Sequence, residues 1–191
     1  MKAAMFDDLG EPGDIVIRDV GIPHPAAGQV LVRVQAAGVN PIDWKVATGV
    51  RRQVFPIAFP WIPGWDVAGE VAGTGPQVTG WAEGDAVVAF TNTPVPGQRR
   101  NGCYAEYVAV DADLLVRRPA GLGPVQAAAV PLAALTAWQA LMDAAALQSG
   151  ETVCIRGGAG GVGSYAVQFA RRAAAKVIST ASAAKHDYLR G

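Results

Sequence analysis

Up to about Val116, short runs of the chain alternate apolar residues with single polar ones. The clearest runs are Val30–Val34, Val67–Val71, Ala86–Phe90 and Tyr104–Val110. A period of two predicts strands with one face in a core, and turns such as Glu83-Gly84-Asp85 separate them. Many short strands at this spacing predict a compact antiparallel, barrel-like domain. Within it, Pro41 at a first helical turn and Gly49 just past a helix end predict a short helix over Pro41–Thr48.

The pattern changes after Pro119. An alanine-rich helical region opens at Pro124 and runs to about Leu147, with a break near Pro131. The segments that follow predict a strand, a helix, a second strand and the start of another helix, over Thr152–Arg156, Val162–Arg172, Lys176–Thr180 and Ala183–Arg190. The expected fold class is therefore α/β with mixed β, with a β-rich domain over residues 1–122 and an incomplete βαβ unit over residues 123–191.

Composition excludes several classes of protein. With 51% hydrophobic and 17% charged residues among 191, the chain has enough apolar surface to fold and is not disordered. Lys+Arg 16 balance Asp+Glu 16, so there is no basic excess to attract nucleic acid. Cys103 and Cys154 lie too far apart for a disulfide framework or a zinc cluster, which favours a reducing cytoplasmic location.

Neither a targeting segment nor a membrane span is expected. Asp7 and Asp8 interrupt the region where a signal peptide needs an apolar core. The stretch Val125–Met142 has no formal charge, but alanine dominates it and Gln126 and Pro131 interrupt it. Buried helices explain this stretch better than a bilayer-spanning helix.

The strongest chemical signal is the glycine-rich segment Gly158-Ala159-Gly160-Gly161-Val162-Gly163, which fits G-x-G-x-x-G. A predicted strand precedes it and a predicted helix follows, as a dinucleotide-binding turn requires. We expect the first glycine to permit the tight turn, the second to let backbone N–H groups approach a pyrophosphate, and the third to let helix and strand pack closely. The alternative is a glycine turn without a ligand.

The residues after the second predicted strand favour NADPH over NADH. An NAD site usually has Asp or Glu about 20 residues beyond the turn, bound to the ribose 2′-hydroxyl. Between the glycine-rich turn and Asp187 this chain has no acidic residue. Ser182 and Lys185 are the candidates for binding a 2′-phosphate; the alternative is that Lys185 is a solvated residue on the following helix.

Several segments together carry a family resemblance. They are AAGVNPIDWK at 36–45, PGWDVAGEVAGTG at 63–75, GCYAEYVAV at 102–110, AAAVPLAALTAWQAL at 127–141 and GETVCIRGGAGGVGSYAVQFA at 150–170. In this order the chain resembles the medium-chain dehydrogenase/reductase superfamily, and within it the zinc-free quinone oxidoreductase (zeta-crystallin-like) and enone reductase branch. The resemblance implies a GroES-like antiparallel β-barrel-like catalytic domain followed by a Rossmann cofactor domain, with the active site in the cleft between them.

The resemblance also implies chemistry without a metal ion. Zinc-dependent relatives have a cysteine ligand where this chain has Asn40, and Gly-His-Glu where it has Gly64-Trp65-Asp66. The usual zinc ligands are thus missing at these positions. His24, in a proline-rich turn, and His186, on a late helix, have no ligand neighbours in sequence, so a surface or structural role is expected for both.

Similarity to the family places Asn40 near the nicotinamide and the substrate, and Thr136 beside the nicotinamide carboxamide. Both residues have simpler explanations, since Asn40 can cap a helix and Thr136 can bond back to its own helix. Lys45 stands where quinone reductases often have tyrosine and enone reductases often have lysine, so α,β-unsaturated carbonyls are expected substrates besides quinones. Asn40, Lys45 or a bound water would donate a hydrogen bond to the developing enolate oxygen.

Two features near the expected cleft are less specific. Trp44, Trp61 and Trp65 could line an apolar cleft, although core packing is the commoner role of any one aromatic residue. The loop Thr91–Asn101, which contains Arg99 and Arg100, is expected to border the cleft and to influence the choice of substrate.

Family members continue through further Rossmann strands. We therefore expect this chain to be a fragment or a shortened member, whose open two-stranded edge needs another copy of the chain or a complementing chain. Three functions stay open: an NADPH-dependent reductase, a protein that binds NADPH without turnover, and a structural or interaction protein. Incidental RNA binding by the third class is disfavoured by the neutral charge.

Overall fold

The computed structural model describes residues 1–50, 53–54, 57–91 and 102–190. The chain divides into two compact units, Met1–Pro131 and Leu132–Gly191. Of the loop expected to border a cleft, only Thr91 is described, so the prediction for Arg99 and Arg100 lies outside the described residues.

The described part of the first unit is built mainly from strands. They are β1 (Lys2–Met5), β2 (Val16–Asp19), β3 (Gln29–Gly38), β4 (Asp66–Thr74), β5 (Ala86–Phe90), β6 (Tyr107–Asp111) and β7 (Leu115–Arg117). β1 and β2 form an antiparallel pair, and the other strands form an antiparallel sheet in the order β6-β3-β4-β5-β7. The predicted antiparallel, barrel-like domain is confirmed.

The alternation read from the sequence determines which face of each strand is buried. Val30 and Val32 of β3, Val67 of β4 and Val87 of β5 belong to one core cluster, and each is almost wholly inaccessible to solvent. The intervening Arg33 points outward and pairs with the side chain of Glu70 on β4. The period of two therefore separates a valine-rich core from a charged outer face.

The described part of this unit also contains two short α-helices. Helix α1 (Pro41–Ala47) begins and ends close to the predicted bounds, and Gly49 has a φ of 77°, which suits a glycine after a helix end. Helix α2 (Pro124–Ala128) packs its alanines, Ala127 and Ala128, against Ala68 of β4. Small side chains let this helix approach the sheet closely.

The second unit is a βαβ arrangement preceded by helical turns. Helix α3 (Pro131–Trp138) continues into a π-helical segment, Gln139–Ala144. Strand β8 (Thr152–Ile155), helix α4 (Gly161–Arg172) and strand β9 (Lys176–Ser179) follow, and then a 3₁₀ turn over Ala183–Lys185 and helix α5 (His186–Arg190). β8 and β9 are parallel, with Thr152 opposite Lys176 and Ile155 opposite Ser179. This arrangement confirms the α/β part of the predicted fold class.

Helix α4 covers one face of the β8–β9 pair. Its buried residues Ala166 and Ala170 pack with Ile155 of β8 and with Ala137 and Leu141. On the other face of the pair Ile178 remains 50% exposed. Among the described residues, no helix is both long enough and apolar enough to cross a membrane.

Candidate active site and nucleotide-binding turn

Asn40 lies between the end of β3 and the start of α1, where the backbone is extended (φ −128°, ψ 152°). Its side-chain Nδ2 donates a hydrogen bond to Asp66 Oδ2 at 2.8 Å. Asp66 is the first residue of β4 and is 1% exposed. Because a carboxylate can only accept, this bond fixes the orientation of the Asn40 amide. The capping box of α1 also pairs the Asn40 side chain with the backbone N–H of Asp43, so the second Nδ2 hydrogen is the part of this side chain that can bind a ligand.

A second buried carboxylate holds the backbone of Asn40. The N–H of Asn40 donates to Asp43 Oδ2 at 2.7 Å, and the hydroxyl of Tyr104 donates to the same oxygen at 2.8 Å. Asp43 is 5% exposed. Burial raises the pKa of Asp43 above its ordinary value, while hydrogen bonds from Asn40, Tyr104 and the Gly64 backbone oppose the rise. Two carboxylates thus bracket Asn40, one at its side chain and one at its main chain.

The segment that carries Cys103 and Tyr104 packs closely against Gly64. Gly64 has a φ of 104°, and a Cβ built there would lie 2.8 Å from Cys103 Sγ. The thiol of Cys103 donates to the main-chain carbonyl of Asp66 at 3.0 Å. Burial, together with the charges of Asp66 and Asp43, raises the pKa of the thiol far above its ordinary value, so Cys103 stays protonated. Among the described residues, no group of three or more His, Cys, Asp or Glu side chains is arranged to hold a metal ion.

Lys45 and the three tryptophans considered as cleft-lining residues (Trp44, Trp61 and Trp65) lie in different environments. Lys45 is half-buried on α1, and its Nζ lies 5.5 Å from the ring centroid of Trp44. Trp61 and Trp65 are buried, at 2% and 4% exposure, which is the packing role that the sequence left open. Trp44 is 42% exposed, so it alone of the three offers a substantial apolar surface to a ligand.

In the second unit, the glycine-rich turn joins β8 to α4. The residue with positive φ (70°) is Gly157, just before the motif, so the tight turn depends on Gly157 rather than on Gly158. A Cβ at Gly158 would overlap Ser179 Oγ on β9. A Cβ at Gly163 would overlap the carbonyl oxygen of Gly157 and lie 2.8 Å from the Cα of Gly158. Gly163 is therefore required by its close approach to backbone, whereas Gly158 packs against the side chain of Ser179.

Hydrogen bonds divide the N–H groups of this turn into two sets. The N–H of Gly157 donates to Thr180 Oγ1 at 3.1 Å, and the N–H of Gly158 donates to the Thr180 carbonyl at 3.0 Å. These bonds anchor the turn to the end of β9. The first N–H groups of α4, from Gly161 onward, have no acceptor within the helix.

The open side of this turn fits a dinucleotide pyrophosphate. The N-cap residue of α4 is Gly160, which has no side chain to cover the first amides. A Cβ at Gly161 would meet nothing within 4 Å, so the space beside these amides is open. Twelve residues of helix direct their positive end at this space, which is where an anionic group is stabilised.

The other candidates for cofactor binding are solvent-accessible. Ser182 precedes the 3₁₀ turn Ala183–Lys185, and the side chains of Ser182 and Lys185 are exposed. Thr136 on α3 is exposed, and its hydroxyl donates to the Leu132 carbonyl at 2.7 Å, the back-bonded arrangement named as its simpler explanation. His24 and His186 are exposed as well.

Sequence reasoning missed the residues that support these candidates. Asp43 follows Asn40 by three positions, the spacing of a capping box, and that spacing was available as a signal. Tyr104 and Thr180 had no such signal, because each is distant in sequence from the group that it anchors.

Comparison with known proteins agrees with this geometry. Residues 26–120 match the alcohol dehydrogenase GroES-like domain family. A quinone-oxidoreductase homologue from Spinacia oleracea, described as chloroplastic, is 41% identical over all of this chain and 58% of its own length. An NADPH-dependent alkenal/one oxidoreductase from Arabidopsis thaliana, also chloroplastic, is 36% identical over all of this chain and 50% of its own length. The crystal structure of an alcohol dehydrogenase superfamily protein from Novosphingobium aromaticivorans superposes with a TM-score of 0.91 at 42% identity, over 100% of this chain and 56% of that one.

A GroES-like barrel followed by a βαβ unit with a glycine-rich turn is the architecture of dehydrogenases and reductases that use nicotinamide cofactors. The chain belongs to the medium-chain dehydrogenase/reductase superfamily and is a homologue of its quinone oxidoreductases. It spans about half the length of the curated relatives that it matches.

Proposed function

We propose that the protein is an NADPH-dependent reductase of quinones or α,β-unsaturated carbonyls that works without a metal ion. The observation that carries the proposal is the glycine-rich turn: the amide end of α4 at Gly161 is open and uncapped, while Gly157 and Gly158 are bonded to Thr180, just after β9. The similarity to a quinone-oxidoreductase homologue and to an NADPH-dependent alkenal/one oxidoreductase supports the same class of substrate.

The preference for NADPH rests on the residues that follow β9. Ser182 and Lys185 are exposed, and no carboxylate precedes Asp187 in this segment. A hydroxyl and an ammonium group can bind a 2′-phosphate, whereas a carboxylate would repel it. We assign these two side chains to the 2′-phosphate, the Gly161–Gly163 amides to the pyrophosphate, and Thr136 to the nicotinamide carboxamide; the Gly160 N–H is already bonded to the Gly157 carbonyl.

When bound, NADPH supplies the hydride, which an electron-poor carbon of the quinone or enone accepts. Asn40 would act on the substrate oxygen, where negative charge develops. Its free Nδ2 hydrogen is a donor whose direction is fixed in advance by the bond to Asp66, so little reorganisation is needed during the reaction. Lys45 offers a second, positively charged donor on the next turn of α1. A solvent proton completes the reduction.

A protein partner is part of the proposal. Among the described residues β8 and β9 pair only with each other, and Ile178 is half exposed on their uncovered face. Such an edge favours pairing with a further strand. We propose that a second copy of this chain, or a complementing chain, covers it and that activity depends on this completion. Both cysteines are free thiols, which suits a reducing compartment such as the cytoplasm.

The test is turnover. The purified chain is mixed with NADPH and either a short alkenal or a benzoquinone, and the loss of NADPH absorbance is followed. We expect saturable turnover that Asn40→Ala lowers by about a hundredfold to a thousandfold, the range for removing one stabilising donor. Lys176→Ala is the matched control. Lys176 is exposed and lies at the start of β9, at the end of the strand away from the glycine-rich turn, so this variant should leave the rate unchanged. Saturable NADPH binding without turnover would support a non-catalytic binding protein instead, and the absence of both would support a structural role.

A further inference from the structure

Asp43 is a buried carboxylate that the proposed reaction does not use. It lies on the first turn of α1, is 5% exposed, and receives hydrogen bonds at one oxygen from the Asn40 N–H and the Tyr104 hydroxyl. Its other oxygen, Oδ1, is also buried, and the Gly64 backbone is a further group that acts on this carboxylate. Burying a carboxylate in this way costs folding free energy unless its partners compensate for the lost solvation.

The two partners of Asp43 connect distant parts of the first unit. Asn40 ends the connection from β3, and Tyr104 precedes β6 by three residues and lies 61 positions away from Asp43 in sequence. The Tyr104 hydroxyl also lies 3.4 Å from the carbonyl oxygen of Gly38, two residues before Asn40. Tyr104 therefore contacts the main chain just before Asn40 and the carboxylate just after it.

We propose that Asp43, fixed by Tyr104, is a positioning residue that holds the main chain of Asn40 while Asp66 orients its side-chain amide. The inference deepens the proposed function and rests on it for the role of Asn40. Asn40 is restrained at its N–H by Asp43 and at its Nδ2 by Asp66, at 2.7 Å and 2.8 Å. With both ends fixed, the free Nδ2 hydrogen keeps one direction, which is the preorganisation that stabilising a developing charge requires.

The hydrogen bond from the Asn40 N–H to Asp43 should weaken as the pH falls and Asp43 becomes protonated. Three titratable groups belong to the cluster around Asp43: Tyr104, which donates a hydrogen bond to Asp43, Cys103, whose pKa the charge of Asp43 raises, and Asp66, whose charge acts on both Tyr104 and Cys103. Tyr104 and Cys103 both have raised pKa values, burial being the largest cause for each, so they stay neutral through the acidic and neutral range. Protonation of Asp43 weakens its bond to the Asn40 N–H, because bonds to an ionised acceptor are about twice as strong as neutral ones.

The experiment is a proton–nitrogen NMR study of the complete 191-residue chain, in which the Asn40 backbone N–H reports on Asp43 directly. In the wild-type protein we expect this N–H to be protected from hydrogen exchange and its chemical shift to follow a titration with a midpoint above 3.8, the ordinary pKa of the carboxyl group. Tyr104→Phe and Asp43→Asn should each speed exchange at Asn40 by about tenfold or more, and Asp43→Asn should remove the titration.

Asp14→Asn is the matched control. Asp14 accepts a hydrogen bond from the N–H of Glu11, three residues earlier, at 2.8 Å, but it is exposed. This variant should alter the Glu11 signal and leave Asn40 unchanged. Asp66→Asn should shift the Asn40 side-chain signals while the backbone titration persists, which separates the two carboxylates.

The proposal is overturned if the wild-type Asn40 N–H exchanges at the rate of an unprotected amide. It is also overturned if Tyr104→Phe and Asp43→Asn leave that rate equal to the rate in Asp14→Asn at the same pH. The wild-type measurement decides even where a variant does not fold. Since these signals do not require turnover, a chain that fails to reduce quinones or enones refutes the proposed function without changing this result.

Discussion

The side-chain amide of Asn40 donates to the carboxylate of Asp66 across the gap between the start of α1 and the start of β4. The two residues are 26 positions apart in sequence, and the β3–β4 pairing brings them together, with Gly38 opposite Asp66. Asn40 thus serves the fold as well as the proposed chemistry, since Asp66 is almost wholly buried.

Asn40→Ala should therefore lower stability as well as activity. A hydrogen bond to a buried charged group contributes about 1.5–3 kcal/mol, and its loss leaves Asp66 less compensated. We expect urea unfolding to show a loss of that size, and Asn40→Ala combined with Asp66→Asn to lose less than the sum of the single variants. Strict additivity of the two substitutions would contradict a direct coupling between these side chains.

Substitution by alanine should affect stability differently at Gly163 and at Gly161. Gly163→Ala places a Cβ against the backbone of Gly157 and Gly158, which cannot move aside as a flexible side chain would. We expect it to destabilise the second unit by about 1–3 kcal/mol, as overpacking does. Gly161→Ala meets nothing within 4 Å and should leave stability unchanged or slightly higher.

Measurement of NADPH binding by the Gly161→Ala variant adds a further test. If a pyrophosphate occupies the open space beside Gly161, the new methyl group should weaken binding by about tenfold while thermal unfolding is unaffected. Unchanged binding in this variant would place the ligand elsewhere.

Cofactor selectivity should depend on Lys185. Reversing its charge replaces an attraction to the 2′-phosphate by a repulsion, while NADH lacks that group. We expect Lys185→Glu to weaken NADPH binding by about tenfold and to leave NADH binding unchanged, as measured by titration at low salt. Lys176→Glu is the matched charge reversal, and an equal effect from both variants would show that only net charge matters.

Asp43 predicts the sign of one pH dependence. Burial raises the pKa of Asp43 in the folded protein above 3.8, its ordinary value in the unfolded chain. At pH values between the unfolded pKa and the folded pKa, the folded chain therefore binds more protons than the unfolded chain. The contribution of Asp43 to the free energy of unfolding therefore falls as pH rises through that interval. Asp43→Asn removes this fall, so its stability relative to wild type should rise with pH over the same interval.

The measurement is urea unfolding of both proteins at a series of pH values, with Asp14→Asn as the exposed control. A difference between wild type and Asp43→Asn that moves in the opposite direction would show that the hydrogen bonds to Asp43 outweigh its burial.

Local patterns in the sequence were sufficient for much of the fold. Alternation located the core faces of β3, β4 and β5, and the positions of Pro41 and Gly49 located α1. β2 was not predicted, because it is exposed throughout and has no buried face to produce alternation. β1 was not predicted either, although its Ala3 and Met5 are buried and its four residues do alternate. The strand expected from Tyr104 begins at Tyr107, because Tyr104 turns toward Asp43 instead of joining the sheet.

The sequence indicated some residues of the candidate site but not the residues that hold them in place. Motif spacing indicated the glycine turn and the family resemblance indicated Asn40, but spacing assigned the tight turn to Gly158 when the positive φ belongs to Gly157. The anchoring groups Tyr104 and Thr180 act across more than 20 residues. No pattern of local hydrophobicity records such contacts, since they depend on which strands become neighbours.

NADPH binding is tested most directly by a fluorescence titration of the 191-residue chain with NADPH, with NADH as the comparison. We expect saturable NADPH binding, much weaker binding of NADH, and loss of NADPH binding in Gly163→Ala. No saturable binding of either cofactor to the folded chain would contradict the proposed NADPH binding.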